Sequence, residues 1–271
     1  MSEPILHFGV TERTEAACDL DVHAEELRLI GFTVLDSGLA PERVADLRNR
    51  IAPVVALQTE EFGGSEAMRQ IGDADTARAM LAYDEAFLDL VKNPRLLGLV
   101  ERMLGGYFIL SQQNSIVIHP GETHHQIRFH RDLPYQHFVS SRPLALNALF
   151  CADAFTEENG ATVVVPGSHK MEPFPSDEAI RRLERPVAAP AGSFIVLDAM
   201  TFHRGGQNMT NRPRHGVNHV FVQPFMRQQI DLPALLKGRH ADDPVLARLL
   251  GYGLETATSV GEWRKRRPRS S

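Results

Sequence analysis

The sequence predicts a mainly β fold with flanking helices (α+β), in which the helices pack outside an antiparallel sandwich or barrel. After residue 106 the chain contains short apolar or alternating runs, separated by Pro-Gly, Asn-Gly and Gly-Gly pairs that are typical of turns. Strands that follow one another without helices between them favour antiparallel pairing. The predicted strands of this region are 107–118, 126–132, 143–152, 161–165, 193–198 and 216–225.

The first hundred residues predict helices around one short strand at 31–35. A helix is expected to begin near Pro41, where the missing N–H of proline costs little, and Val44, Leu47 and Ile51 recur on one face of it. A second helix is expected to begin at Pro94 and to end before the Gly-Gly pair at 105–106. We therefore predict a single domain over 1–271, with a helical part to about 106, a β-core over 107–226, and a helical segment with a basic tail over 227–271.

Composition limits the classes of function. The chain has 271 residues and a net charge of −5, so no overall basic field suggests a nucleic-acid partner, and a small-molecule substrate is expected. Cys18 and Cys151 have no spacing typical of zinc sites or disulfide frameworks. The chain has neither a secretory signal pattern at its start nor a run of about 18 apolar residues, so we expect a cytoplasmic protein without a membrane partner.

The stretch FHRDLPYQHF, at 129–138, admits two chemical interpretations. His-Arg-Asp-Leu begins the catalytic loop of protein kinases, but the position that needs asparagine is His137 and no Asp-Phe-Gly follows. A kinase is therefore excluded. In the second interpretation, His130 and Asp132 project from the same face of a strand, as two metal ligands would.

A third candidate ligand, His203, follows the predicted strand 193–198. Two histidines and one carboxylate on one face of a metal leave three positions open, which is the facial triad of non-haem Fe(II) oxygenases. A bidentate 2-oxo acid and O₂ could fill those positions. Arg214 is the candidate cation for the far carboxylate of such an acid, because its planar fork binds carboxylates through two hydrogen bonds, and Arg212 is the nearby competitor.

These residues resemble the phytanoyl-CoA dioxygenase family of Fe(II)/2-oxoglutarate oxygenases from about residue 31 to 225. The segment 31–42 is similar to an N-terminal strand and helix start of the family, and 159–169 is similar to its N-G-x-x-x-x-x-P-G-S-H segment. His130-x-Asp132, the distal histidine His203 and Arg214 match the metal ligands and the 2-oxoglutarate arginine of the family in order and spacing. Two positions depart from the family, since Phe129 stands where many relatives have tryptophan and Gly205 where serine is frequent.

The resemblance implies a double-stranded β-helix core (jelly-roll, cupin-like) and a dioxygenase that uses Fe(II), 2-oxoglutarate and O₂. It would hydroxylate or otherwise oxidise an unactivated C–H bond and release succinate and CO₂. The resemblance makes His130, Asp132 and His203 the metal ligands and catalytic residues, and it assigns Arg214 and Gln113 to 2-oxoglutarate. The alternative is a cupin-like metal-binding barrel, an isomerase or a binding module, that does not use 2-oxoglutarate.

Several further residues are candidates for the substrate pocket. Arg128 shares strand parity with the ligands, and pointing inward it would need an anionic partner, either a substrate carboxylate or phosphate or a protein acid. Arg131 is expected to point away and to matter least. His125 belongs either to a surface loop or to a wall of the site. The other candidates are Tyr135, His137 and Asn147.

Overall fold

The computed structural model describes residues 5–121, 125–133 and 137–267, and within these ranges helices cover one face of a sheet. The helices of the N-terminal part are α1 Asp19–Ile30, α2 Pro41–Glu61, α3 Ser65–Gln70, α4 Met80–Tyr83, α5 Leu88–Val91 and α6 Pro94–Leu104. Later helices are α7 Asp177–Leu183, α8 Leu232–Leu236, α9 Pro244–Leu250 and α10 Val260–Lys265. In the described part of the chain, no helix is both long enough and apolar enough to cross a membrane.

The strands form two antiparallel sheets. They are β1 Phe32–Asp36, β2 Ile109–Ile118, β3 Ala145–Cys151, β4 Val163–Val164, β5 Arg185–Pro186, β6 Ser193–Asp198, β7 His203–Arg204 and β8 Arg214–Val222. The large sheet has the order β1-β6-β3-β8-β2 and the small sheet has the order β5-β4-β7. All of these pairings are antiparallel. The predicted combination of antiparallel sheets and flanking helices is confirmed.

Alternation along the large sheet separates two cores. On β6, Phe194 and Val196 pack into the helical layer, whereas Ile195 and Leu197 pack with Val164 of the small sheet. Successive side chains of a strand point to opposite faces, so a fully buried strand contributes to both cores. The same parity directs Arg214 of β8 away from the helices, toward the space between the sheets. The candidate site lies in this space.

Gly31 connects α1 to β1 in a conformation that few other residues adopt. Its φ is 85°, and its carbonyl accepts a hydrogen bond from Thr201 Oγ1 at 2.9 Å. A Cβ atom at this position would lie 2.5 Å from Thr201 Oγ1 and 2.6 Å from His169 Nδ1. Glycine is therefore required both for the backbone angle and for the close approach of the segment that leads to His203.

One predicted strand is wrong. The segment 126–132 overlaps a 3₁₀ turn, His125–Ile127, and among the described residues it makes one isolated β-bridge, between His130 and His203, instead of a strand ladder. The His130 N–H donates to the His203 carbonyl at 2.9 Å, and the reverse bond measures 3.1 Å. The last predicted strand begins earlier than expected, at Arg214, and ends at Val222.

Candidate metal centre

Three candidate ligands converge between the sheets. His130 Nε2 lies 3.6 Å from Asp132 Oδ1, and His203 Nε2 lies 3.7 Å from the same oxygen. One ligand atom from each residue lies within 4.8 Å of the other two. The structure thus brings together the two parts of the predicted triad, which are far apart in the sequence. Two imidazoles and one carboxylate are a donor set that suits Fe(II).

Backbone carbonyls fix the orientation of both imidazoles. His130 Nδ1 lies 2.8 Å from the carbonyl oxygen of Arg128, and His203 Nδ1 lies 3.0 Å from that of Thr201. Each carbonyl can only accept a hydrogen bond, so each Nδ1 carries the proton. Both Nε2 atoms then keep a free lone pair on the side of Asp132. Such a hydrogen bond sets the tautomer of a metal-binding histidine.

Asn147 orients the carboxylate. Its Nδ2 donates to Asp132 Oδ2, which leaves Oδ1 facing the two imidazoles. Asn147 reaches this position from β3, where its side chain points away from the helical layer. The predicted pocket residue Asn147 therefore lies beside the candidate ligands and contacts one of them directly.

The buried position of His203 favours its neutral form. Burial lowers the pKa of His203, an effect opposed by the negative charge of Asp132. A neutral imidazole at neutral pH has a free lone pair for a metal ion, so no proton has to be displaced.

Arg214 lies in the cavity that the three candidate ligands also line. It is 3% exposed and stacks on Phe155, with the guanidinium carbon 3.9 Å from the ring centroid. Burial lowers its pKa to about 10, so the side chain remains a cation at neutral pH. Among the residues that the structure describes, neither Nε nor Nη1 has a hydrogen-bond partner. A buried cation with two unused donors fits the carboxylate of a bound acid.

Gln113 does not face this cavity, and its predicted contact with 2-oxoglutarate is wrong. Its Oε1 accepts from the Leu81 N–H, and its Nε2 lies 2.9 Å from both the Phe87 carbonyl and His219 Nε2. The neighbours of Gln113 on β2, Gln112 and Asn114, line a cavity on the opposite face. Strand alternation therefore directs the Gln113 amide into the helical layer, where it is fully buried.

The remaining substrate candidates have different positions. Arg128 is exposed and lines a cavity of about 350 Å³ that His130 and Asp132 also line. His137 is exposed and is not among the described residues that line this cavity. His125 contributes to a 3₁₀ turn, but its side chain lies outside the described part of the structure, as does the whole of Tyr135.

Arg131 has a larger structural role than the sequence predicted. It is 2% exposed, stacks on Phe202, and donates to the carbonyls of Met200 at 2.6 Å and of Ser168 at 2.9 Å. As predicted, the guanidinium points away from the candidate ligands. Its bonds fasten the segment that carries them to the turn at Ser168, a structural role that the sequence did not predict.

Sequence reasoning also missed Asn218 and Thr76. Asn218 lines both the cavity of Arg214 and the larger cavity of Arg128. Parity with Arg214 on β8 was a usable signal for Asn218, since residues four apart on a strand share a face. For Thr76, which lies in a loop beside β2, the sequence carries no comparable signal.

The sequence model of the phytanoyl-CoA dioxygenase (PhyH) family matches residues 27–216. The chain belongs to this family. The matched range contains the three candidate ligands and Arg214, and it begins within α1 and ends within β8. The resemblance that the motifs indicated is thus confirmed at the level of the family.

Relatives with this similarity include proteins with and without an assigned activity. An uncharacterized protein of Mycobacterium tuberculosis, Rv1501, is 31% identical over 258 residues, covering 93% of each chain. An ectoine dioxygenase of Nocardia farcinica is 26% identical over 267 residues, covering 83% of this chain and 87% of the relative. The first similarity extends well beyond the range matched by the family model.

Among solved structures, the fold is similar to that of SnoN, a non-heme alpha-ketoglutarate-dependent epimerase from nogalamycin biosynthesis. The TM-score is 0.58 at 20% identity, and the match covers 76% of this chain and 83% of that chain. At this identity, the likeness concerns the fold.

Proposed function

We propose that this protein is an Fe(II)- and 2-oxoglutarate-dependent dioxygenase that hydroxylates, or otherwise oxidises, an unactivated C–H bond of a small molecule and releases succinate and CO₂. The observation that carries the proposal is the position of Arg214, a buried cation with unused donors in the same cavity as two histidines and a carboxylate. A metal centre alone gives no reason to bury an arginine beside it, since an unpaired buried charge is costly.

In this proposal, His130, Asp132 and His203 hold Fe(II), and Arg214 binds the far carboxylate of 2-oxoglutarate. The bound iron supplies the chemistry by which O₂ and 2-oxoglutarate oxidise the substrate. The protein orients these groups: two backbone carbonyls fix the imidazoles, and Asn147 holds Asp132 Oδ2 so that Oδ1 faces both of them. The small sheet covers the inner face of the large one, and together they would form a double-stranded β-helix that shields the reaction from water.

The competing proposal is a cupin-like barrel that binds metal without using 2-oxoglutarate. The two differ in what Arg214 does. For the dioxygenase we expect 2-oxoglutarate to bind by calorimetry in the presence of Fe(II) without O₂, and succinate to form when O₂ is admitted. Because SnoN, whose fold is similar, is an epimerase, mass spectrometry should follow the conversion of the substrate as well as the formation of succinate.

The matched variants are Arg214→Gln and Arg212→Gln. Arg212 is exposed and lies two residues from Arg214, so it controls for a general loss of positive charge in this segment. We expect Arg214→Gln to weaken 2-oxoglutarate binding by roughly a hundredfold, as the loss of a charge-assisted bidentate pair implies, and to leave iron binding intact. Arg212→Gln should bind like the wild type. Equal effects of both variants, or no 2-oxoglutarate binding by the wild type, would support the cupin-like alternative.

A further inference from the structure

The cavity of about 350 Å³ beside the candidate metal ligands has an unusually polar wall. It opens from the inner face of β2 and β8, and Ile116 is the one apolar side chain among the described residues that line it. Ligand pockets are ordinarily lined mainly by apolar and aromatic side chains, with only a few polar groups to fix orientation. The wall of this cavity therefore suits a ligand whose own surface is largely polar.

Three arginines line the cavity, but their charges are not equally available. The guanidinium of Arg78 pairs with both carboxylate oxygens of Asp73, with Nε 3.0 Å from Oδ2. Arg131 directs its guanidinium to backbone carbonyls on the other side of the ligand segment. Arg128 makes no salt bridge with any residue of the described ranges, and its side chain is exposed. Arg128 thus supplies the available positive charge of this wall.

Two buried polar atoms of the same wall also lack partners. Thr76 Oγ1 and Asn218 Oδ1 have no hydrogen-bond partner within the described part of the chain, although the residues are only 2% and 7% exposed. A buried polar atom without a partner costs roughly 1–3 kcal/mol, so such atoms ordinarily meet a ligand or an ordered water. Both residues line the cavity of Arg128, and the carbonyl oxygen of Asn218 can only accept. A ligand that satisfies it must offer an N–H or O–H group.

We infer that the substrate is a compact polar molecule that carries an anionic group, a carboxylate or a phosphate, and at least one N–H or O–H donor. Arg128 binds the anion, while Asn218 and Thr76 bind the polar part of the molecule close to the metal. This inference rests on the proposed function, since it assigns the substrate of the same centre. It excludes long apolar acids as preferred substrates, because a polar wall without its hydrogen bonds would oppose their burial.

The inference can be tested with ligands matched in size. The anionic set consists of the standard L-amino acids and of phosphate monoesters such as O-phosphoethanolamine. The control set consists of the corresponding amino-acid amides and of the parent alcohols, such as ethanolamine, which keep the amine but lack the anionic group. Medium-chain fatty acids form a third set, with an anion but an apolar body. Binding is measured by calorimetry on the Fe(II) and 2-oxoglutarate complex without O₂, and turnover by substrate-stimulated succinate formation.

We expect the strongest ligand to belong to the anionic set and to bind about tenfold more tightly than its counterpart in the control set, which lacks the anionic group, as one charge-assisted hydrogen bond implies. In Arg128→Gln the two members of a pair should bind with equal affinity, and in Arg128→Lys part of the difference in affinity should remain. Arg212→Gln should leave the difference unchanged. A merely structural role for Arg128 would weaken both members of each pair equally. Asn218→Ala should weaken ligands that contain the N–H or O–H donor more than the fatty acids.

The inference is overturned if the strongest ligand lacks an anionic group or is a fatty acid, if no member of the anionic set binds, or if the difference in affinity persists in Arg128→Gln. In these cases the wild type would still bind 2-oxoglutarate and form succinate slowly without substrate, so the proposed function would stand. Failure of 2-oxoglutarate binding itself would overturn both.

Discussion

At the scale of one residue, Arg214 lowers the stability of the ligand-free protein and provides a group that can bind an anion. Its guanidinium is 3% exposed and has two donors without a partner among the described residues. Burying such a charge makes folding less favourable unless an anion binds to it. Stacking on Phe155 compensates for only part of the lost hydration. Groups held in this way are typical of binding sites, where the ligand supplies the missing interaction.

Replacing Arg214 by methionine should therefore stabilise the protein in the absence of ligands. Methionine has a similar length and no charge to desolvate, so we expect the free energy of unfolding to rise by about 1–3 kcal/mol. Urea titrations of the wild type and Arg214→Met measure this difference, and 2-oxoglutarate should stabilise only the wild type. A variant less stable than the wild type would mean that the arginine has a structural partner.

Asp198, at the end of β6, gives a prediction for pH. Burial raises its pKa to about 6 from 3.8, an effect only partly offset by the Met200 N–H, which donates to Oδ1 at 2.9 Å. Between about pH 4 and pH 6 the folded protein keeps a proton that the unfolded chain has lost. The free energy of unfolding therefore falls as pH rises through this window, by roughly 3 kcal/mol in total from this residue.

Asp198→Asn should lack this decrease, because asparagine does not titrate and can still accept from the Met200 N–H. The measurement is the difference in free energy of unfolding between the two proteins at pH 4, 5, 6 and 7. We expect the free energy of unfolding of the variant, relative to that of the wild type, to rise with pH across this range. The difference should be constant above about pH 6. Parallel pH curves would show that Asp198 ionises normally in the folded protein.

At the scale of elements, His203 depends on close contact between two backbone segments. The Gly206 N–H donates to the Ala161 carbonyl at 3.0 Å, and the Met209 N–H donates to the Glu158 carbonyl at 2.8 Å. These bonds extend the pairing of β4 with β7 beyond the two residues of each strand. A Cβ atom on Gly206 would lie 2.6 Å from the Ala161 oxygen, which is backbone and cannot turn aside.

Two adjacent glycines provide a matched test of this contact. Gly206→Ala should lower the free energy of unfolding by about 1–3 kcal/mol, as overpacking does, and should weaken metal binding by displacing His203. At Gly205 the added Cβ would meet the Gln126 carbonyl oxygen at 3.6 Å, an ordinary contact, so Gly205→Ala should change stability by only about 0.5 kcal/mol or less. Thermal unfolding of both variants measures the difference, and equal losses would contradict the close-packing explanation.

The same elements show what the sequence could reveal. Strand β6 was predicted with its observed bounds because both of its faces carry apolar residues, two of which, Ile195 and Val196, are β-branched. Strands β5 and β7 have two residues each, too few to produce a pattern. The segment 126–132 has an alternating sequence, yet among the described residues its one β-bridge joins His130 to His203. Separate backbone hydrogen bonds to Gly205 and Ala199, rather than a continuous ladder, hold its two ends.

The site was predictable where its chemistry depends on residue type, and less so where it depends on the direction in which a side chain points. Two histidines, an aspartate and an arginine at their spacing were enough to select Arg214 and the candidate ligands. The error at Gln113 arose because a residue type was matched without knowing its face, and β2 has a register shift between Leu110 and Gln112. The structural role of Arg131 was not predicted because its partners include carbonyl oxygens, which no side-chain pattern reveals.

At the scale of the whole molecule, the candidate metal centre joins parts of the chain that fold into different structures. His130 and Asp132 lie on an irregular segment, and His203 lies on a strand of the small sheet. A bound metal would connect them through three ligand atoms, in addition to the backbone hydrogen bonds that already join the two segments. Because the unfolded chain does not hold these groups together, metal binding should stabilise the entire folded state.

We therefore expect Fe(II), or Mn(II) as an air-stable substitute, to raise the free energy of unfolding by about 2.7 kcal/mol at a free concentration one hundred times its dissociation constant. A chelator should reverse the gain. His203→Ala should lose it, because two remaining ligands bind a divalent ion weakly, whereas His137→Ala should keep it, since that exposed histidine is not among the candidate ligands. Thermal unfolding with and without metal measures all three proteins. If the metal still stabilised His203→Ala but no longer stabilised His137→Ala, the metal would bind at another site, and the assignment of the whole cavity would be wrong.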